Sequence, residues 1–528
     1  MPFLGQWLIV ATRETIAVSM LTRASNLAVS LLQETACFTR FSRTHDRGGE
    51  LEFLDRMRAE VHLSKSAVAA DPGAVRAAEE ARRSILGTYR KRTVKSAACF
   101  ERASRVLAGG TTGNLRHFHP YPLYFKEASG STVIDIDGNR YVDCFLGNGP
   151  LLLGHRHPRV TAAIGRCTSM GSLLVNPPLA VELAEEIQRT VPCAERMRFL
   201  NSGTEAVLTA VRLARAHTQR SKVVKFLGHY HGQDDQFLIG LDPAGSVLGN
   251  GIPAEALANT VLCRYGSIEH LVEVLDRHAD VAAVVLDPAM HAGGLWGSST
   301  VYLRAVREVT ARRGIVLIFD EVISGFRLHA GGAQAFYEVT PDLATFAKAL
   351  GAGEKLAAVA GREEIFRSLG PDRSGGPALV FQSGTGNDGT VALAAGAAAV
   401  SLYRELEAAG EYGALAARAE RLTAGLSHAF RSHGVPCHIN QLGPMLQLCL
   451  SEETPSFETF SRVPTVTLAL FYLALINEGA LLSLPTSNHV YLSFAHTDED
   501  ICQVLEAAVR VLDTFNFRAI VRAGDVPQ

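Results

Sequence analysis

The feature that most constrains this chain is a run of five apolar residues closed by an acid, Ile315-Val316-Leu317-Ile318-Phe319-Asp320. The run is too short for a helix, and no polar residue alternates within it to leave one face wet. It predicts a strand covered on both faces, as inside a parallel sheet. A carboxylate at the end of such a strand is costly to desolvate unless something positive meets it. After a loop, Lys348 follows between Ala347 and Ala349, where burial would strip its charge and leave a nucleophilic amine. Pyridoxal phosphate (PLP) requires such a pair: an amine to hold its aldehyde as a Schiff base, and an acid to keep its ring nitrogen protonated. An isolated Asp…Lys pair is more often structural, so the reading demands a phosphate site elsewhere in the chain.

Further strand-like runs at residues 223–226 and 281–286 alternate with helical patterns at 267–277 and 302–313, the second closed by Gly314. Repeated strand-loop-helix units predict a mostly parallel sheet with helices on both faces. In such sheets, ligands bind off the carboxyl ends of the strands. Tyr230 in Gly-His-Tyr-His-Gly (228–232), Asp287, Asp320 and the turn Asn201-Ser202-Gly203 all fall at such ends. That turn follows a short strand at 197–200 and opens a helix over 204–216, whose apolar face carries Ala206, Val207, Ala210, Val211, Leu213 and Ala214. A helix N-terminus with open N–H groups and the hydroxyls of Ser202 and Thr204 makes an anion site. Taken alone, the same turn reads first as an ordinary helix cap. A second polar glycine loop, residues 383–389, precedes an alanine-rich helix over 390–406.

At 528 residues the chain exceeds one ordinary core. Its 51 Lys and Arg against 53 Asp and Glu leave no electrostatic footprint for nucleic acid or an anionic membrane. The nine cysteines are scattered, odd in number and without a CxxC pair. That suggests neither zinc nor a disulfide framework, and a reducing compartment fits best. No apolar run reaches the length of a membrane span.

Four regions are expected: an N-terminal extension (1–86), a segment joining the small domain (87–150), a large domain (151–400) and a small α+β domain (401–528). The last shows helical patterns at 412–432, 466–478 and 498–515, with extended stretches at 435–450 and 490–493. Within the extension, the stretch through Arg47 is rich in Ser, Thr and Arg and poor in acids, resembling an organellar transit peptide. Met20 and Met57 are alternative starts, and an additional helical segment is the third option. A cytoplasmic location follows, or an organellar one if residues 1–56 are a transit peptide. Residues 107–125 form a Gly/Pro-punctuated loop with Arg116 among aromatics and histidines, and Asp137-Gly138-Asn139 marks a hairpin.

Seven segments in this order, DGNRYVD (137–143), GHRHPRV (154–160), NSGTEA (201–206), GHYHG (228–232), FDEVISGFR (319–327), PDLATFAKALGAG (341–353) and SGT (383–385), resemble the class III aminotransferases. This family has PLP fold type I, and the similarity is greatest to the branch containing glutamate-1-semialdehyde 2,1-aminomutase. The resemblance implies an α/β large domain with a mostly parallel central sheet, and PLP as cofactor. It implies that Lys348 carries the Schiff base and shuttles the proton, and that Asp320 pairs with the ring nitrogen. Val322 and Tyr230 would pack on the ring, and Ser202, Gly203 and Thr204 would hold the phosphate. Thr385 resembles a phosphate ligand supplied by a neighbouring subunit, which implies a homodimer with a shared site. Arg116 matches the arginine that binds the substrate carboxylate, although a surface arginine in a loop reads the same way.

Four departures stand out: Asp287-Pro288 where Glu-Pro is usual, Gly351-Ala352-Gly353-Glu354-Lys355 where the glycine-rich segment often ends in Met/Leu-Pro, Gly389-Thr390 where Asn-Pro is usual, and Ser487-Asn488-His489 where the aminomutase carries an acid. The expected reaction is amino transfer between an amino acid or amine and a 2-oxo acid or aldehyde. Intramolecular transfer of the aminomutase type is the alternative, and a non-catalytic binding protein on the same fold is the third.

Overall fold

The computed structural model describes residues 72–370, 380–462 and 465–523. The expected leader through Arg47 and the alternative starts at Met20 and Met57 lie outside these residues. The described chain begins with the helix Pro72–Arg92, which buries Ala74, Ala78, Ala81, Ile85 and Tyr89 as one stripe at helical spacing. Three antiparallel strands follow, β1 (Phe125–Ser129), β2 (Thr132–Asp135) and β3 (Arg140–Asp143). The β2–β3 turn falls where Asp137-Gly138-Asn139 is expected, with Gly138 at φ +98°.

The central sheet has seven strands: β4 (Arg196–Leu200), β5 (Lys222–Phe226), β6 (Thr260–Cys263), β7 (Val281–Leu286), β8 (Val316–Asp320), β9 (Leu343–Phe346) and β10 (Ala357–Gly361). Their order is β4-β10-β9-β8-β7-β5-β6. Every residue of β7, β8, β9 and β10 is buried. Alternate side chains feed separate cores: Leu317 and Phe319 enter one, Val316 and Ile318 the other. The second core is completed by the helix Gly203–Thr218 through Ala206, Val207, Ala210, Val211, Leu213 and Ala214. The apolar run is therefore a strand covered on both faces, as its lack of alternation requires.

The five strands β6, β5, β7, β8 and β9 are parallel, but β10 is antiparallel to both β9 and β4. The reason is connection length. The segment between Phe346 and Ala357 is too short to carry a crossover helix, so the chain can only turn back. Lys348 lies in that return, at the carboxyl end of β9.

Towards the C-terminus, β11 (His438–Leu442) and β12 (Met445–Cys449) form a hairpin. The short strand β13 (Ala480–Leu481) pairs in parallel with β3, and β14 (Val490–Tyr491) pairs antiparallel with β12. The helices Glu411–Ser432 and Asp498–Thr514 contribute Leu415, Leu422, Leu426, Val504 and Val511 to the larger core. The structure adds helices Val94–Ala103, Pro178–Thr190 and Phe517–Ala523. Among the described residues, no helix is long and apolar enough to cross a membrane.

Candidate active site

Asp320 closes β8 and is buried at 5% exposure. One carboxylate oxygen accepts from the Val322 N–H and the Thr345 hydroxyl, both at 3.1 Å. The other meets His231 Nδ1 at 2.7 Å. His231 is itself fully buried, and burial lowers its pKa despite the neighbouring carboxylate. The ring therefore stands neutral, donates from Nδ1, and leaves a buried Nε2 without a partner. Three donors orient the acid.

Lys348 is largely buried, and its side chain has no hydrogen-bond or ion-pair partner among the described residues. Its backbone takes φ +45°, a left-handed conformation that costs a side-chain-bearing residue on the order of 1–3 kcal/mol and clusters at functional positions. Burial first, and then the Arg327 guanidinium, lower its pKa to about 8, against the opposing pull of Asp320 and Asp287. The amine and the strand-end acid are thus within electrostatic reach of one another. Asp287, at the end of β7, is pushed up to about 7 by burial, while its oxygens accept from the N–H groups of Ala289 (2.9 Å) and His291 (2.8 Å).

The turn at 201–204 reaches the same place. Ser202 caps the helix Gly203–Thr218 by accepting from the Glu205 N–H at 3.3 Å. A Cβ on Gly203 would stand 2.9 Å from Val322 Cγ2, so this turn presses directly on the residue two past Asp320. Thr204 Oγ1 accepts from the Gln233 N–H at 3.2 Å, and a Cβ on Gly232 would strike that same hydroxyl. The 228–232 loop is thereby locked to the helix start. Tyr230 within it keeps 45% of its surface exposed, and its hydroxyl feels the Asp320 charge. Lys348, Asp320, Val322, Tyr230, Ser202, Gly203 and Thr204 therefore share one region at the carboxyl ends of the strands.

Two expected residues lie further out. Thr385 is exposed in a short turn, Thr385–Asp388, which rests on the 201–204 turn through Asn201 Nδ2 to Asn387 Oδ1 at 3.1 Å. Arg116 is exposed in the turn Asn114–Arg116, and no hydrogen bond or ion pair joins its side chain to Lys348 or Asp320.

Other groups around the amine escape sequence reasoning. Arg327 is fully buried, donates to the carbonyls of Ile323 (3.2 Å) and Gly149, and lies 4.9 Å from the Tyr491 ring centroid. Its Nη1 has no partner, and the side chains acting on its charge are the phenols of Tyr491, Tyr403 and Tyr412 rather than any acid. His291 stacks on Tyr491 with centroids 5.5 Å apart. Arg327 falls inside the FDEVISGFR segment, so its position was visible but not its burial.

A family model for class-III aminotransferases matches residues 115–512. The chain is 37% identical over 425 residues to a glutamate-1-semialdehyde 2,1-aminomutase of Desulforudis audaxviator, covering 78% of this chain and 96% of that protein. Among solved structures it resembles an omega-transaminase from Sphaerobacter thermophilus, with a TM-score of 0.74 and 31% identity over 79% of this chain and 97% of that one. A transaminase with PLP bound gives a TM-score of 0.74 and 30% identity, over 80% and 98% of the two chains. With the matched family model spanning most of its length, this chain belongs to the class-III aminotransferases.

Proposed function

We propose that this protein is a PLP-dependent enzyme that moves an amino group from an amine-bearing carbon to a carbonyl carbon, with Lys348 as the catalytic amine. The observation that carries this reading is an unpartnered, largely buried lysine with a pKa near 8, set against a strand-end acid held by three donors. The residues present fit the cofactor. A helix N-terminus with Ser202 and Thr204 offers a phosphate cradle, and Gly203 leaves no room for a Cβ beside Val322. When bound, PLP supplies the electron sink for the carbanion formed on Cα–H cleavage.

In this reading Lys348 Nζ holds the aldehyde, Asp320 grips the ring nitrogen, and Val322 and Tyr230 pack on the ring. Ser202, Gly203 and Thr204 hold the phosphate. Once released by substrate, Lys348 Nζ accepts the Cα proton and returns it. A pKa lowered to about 8 gives it a sizeable neutral fraction near that pH for this task. Arg116 is proposed to bind a substrate carboxylate, its guanidinium being exposed and unpartnered.

Thr385 is proposed to serve the phosphate of a second copy. Its loop adjoins an apolar stretch with Met170, Leu173, Leu174 and Val175 at 67%, 47%, 44% and 85% exposure. The Leu173–Gly389 bridge and the 3.1 Å bond from the Thr390 N–H to the Ser172 carbonyl join the two segments. An exposed patch of this kind marks an interface. The eight described cysteines are all free, which fits a reducing compartment, and we place the enzyme in the cytoplasm.

Intermolecular transfer is the first reading and intramolecular transfer the second. The names of the curated relatives favour the second more strongly, while Ser487-Asn488-His489 in place of the aminomutase's acid favours the first. The test is turnover of a purified, PLP-loaded chain with amino donors, with and without an added 2-oxo acid or aldehyde. Lys348→Ala should abolish turnover, and parental rates in that variant would end the proposal. Turnover without any acceptor would assign the intramolecular reaction.

A further inference from the structure

We propose that a cavity lined by His489 receives the substrate's side chain, and that His489 Nε2–H is its fixed hydrogen-bond donor. The pocket then selects amino donors with an extended, largely apolar chain that carries one oxygen acceptor and no positive charge. This inference rests on the reading that Lys348 performs amino transfer.

The cavity has a volume of about 580 Å³ and lies among helix Pro72–Arg92, the turn Asn114–Arg116, helix Thr465–Asn477 and the segment 485–489. Leu86, Phe118, Phe460, Leu468 and Leu473 supply apolar wall. No Asp, Glu or Lys lines it, and Arg82 is the single Lys, Arg, Asp or Glu side chain among the described lining residues. A cationic chain would therefore find no counter-charge there, whereas an apolar chain would be taken out of water along its length.

His489 ties the cavity to the strand-end acids, since its ring packs on that of His291, whose backbone N–H donates to Asp287, and its hydrogen bonds leave no freedom of tautomer. Gln447 Nε2 lies 2.6 Å from the His291 carbonyl oxygen and 2.8 Å from His489 Nδ1. A carbonyl oxygen only accepts, so the amide nitrogen and not its oxygen must face it. The second N–H of that nitrogen then donates to His489 Nδ1, which must be bare. In the neutral ring the proton is consequently on Nε2. Burial and the Lys348 charge lower the His489 pKa to about 3, so the ring stays neutral at working pH. His291 supports it from beneath, with ring centroids 4.3 Å apart. Nε2 has no protein partner among the described residues, and His489 lines the cavity. A donor left unmet when substrate binds weakens that substrate, which is how a site rejects an analogue lacking the matching atom.

The experiment uses the full PLP-loaded chain and a donor series: alanine, 2-aminooctanoate, and 2-aminooctanoate analogues with one ether oxygen walked along the chain. One oxygen position should exceed the all-carbon donor in kcat/KM by about tenfold, the worth of one hydrogen bond. That preference should vanish in His489→Ala and persist in His489→Gln, whose amide N–H can replace Nε2–H. A flat series in the parent, or a preference surviving in His489→Ala, overturns the inference while leaving amino transfer standing. No conversion of any donor overturns the amino-transfer reading and this inference with it. Independently of turnover, histidine-15N spectra should show His489, identified by its loss in His489→Gln, with a bare Nδ1 and protonated Nε2 from pH 5 to 8. A protonated Nδ1 overturns the assignment.

Discussion

Replacing His231 by phenylalanine separates the grip on Asp320 from everything else in the site. The substitution keeps a ring in its edge contact with Phe237, where the centroids are 5.7 Å apart, and removes the donor 2.7 Å from the Asp320 carboxylate. Both side chains are buried, at 0% and 6% exposure, so solvent hardly screens the pair. A hydrogen bond to a charged group contributes about 1.5–3 kcal/mol. His231 also carries an unpartnered buried Nε2, and deleting that burden returns about 1–2 kcal/mol. The single substitution should therefore destabilise by only about 1 kcal/mol. The informative quantity is the coupling in a cycle with Asp320→Leu, where that burden and the Val322 and Thr345 donors abandoned by the acid cancel. Urea unfolding of the cofactor-free protein at pH 7.5 should give a coupling of about 2 kcal/mol. Additivity within about 0.5 kcal/mol would refute the claim that the histidine holds the acid.

Other consequences follow from the buried groups and the surface. His229 and His291 have pKa values well below the usual imidazole value, and His489 is near 3, so below about pH 6.5 the unfolded chain takes up three protons that the folded one refuses. Asp287 and Glu321, each pushed up to about 7, hold two protons in the folded state that the unfolded chain has released, down to about pH 4.5. His231 and His496, also buried with lowered pKa values, add to the three, so the excess is at least one net proton and stability should fall by at least about 1.4 kcal/mol per pH unit as pH drops from 6 to 5. Urea midpoints that are flat or rise on acidification would contradict this. Arg327→Met removes a cation that lowers the Lys348 pKa. The pH dependence of Lys348 acylation in the cofactor-free protein should therefore move upward from about 8, and an unmoved profile would count against that field. Val175→Arg places a charge in the most exposed part of the apolar stretch. Sedimentation should show a dimer in the parent and a monomer in the variant, and a monomeric parent would defeat the shared-site proposal.

What could be read from the sequence was local. The strand ending in Asp320, the Ser202 turn and the lysine after β9 are each carried by a few contiguous residues, ambiguous singly and decided by their convergence at strand ends. The direction of β10 was not legible as a pattern of its own, since a buried strand looks alike in either direction. Only the short connection through Lys348 decides it. His231 was visible in its loop, but its bond to Asp320 depends on two strand ends that neighbour each other only through β7. The Gln447–His489 contact is likewise made between β12 and the residue preceding β14, 42 residues apart in the chain. Arg327 was passed over for a different reason: nothing local announces a buried guanidinium without an acid beside it.

Borohydride reduction of the PLP-loaded protein, followed by peptide mapping, tests the central claim most directly. A single pyridoxyl adduct on the peptide containing Lys348 is the expected result. An adduct on another lysine, such as the buried Lys225 with its pKa lowered to about 7, or no adduct at all, would contradict the account.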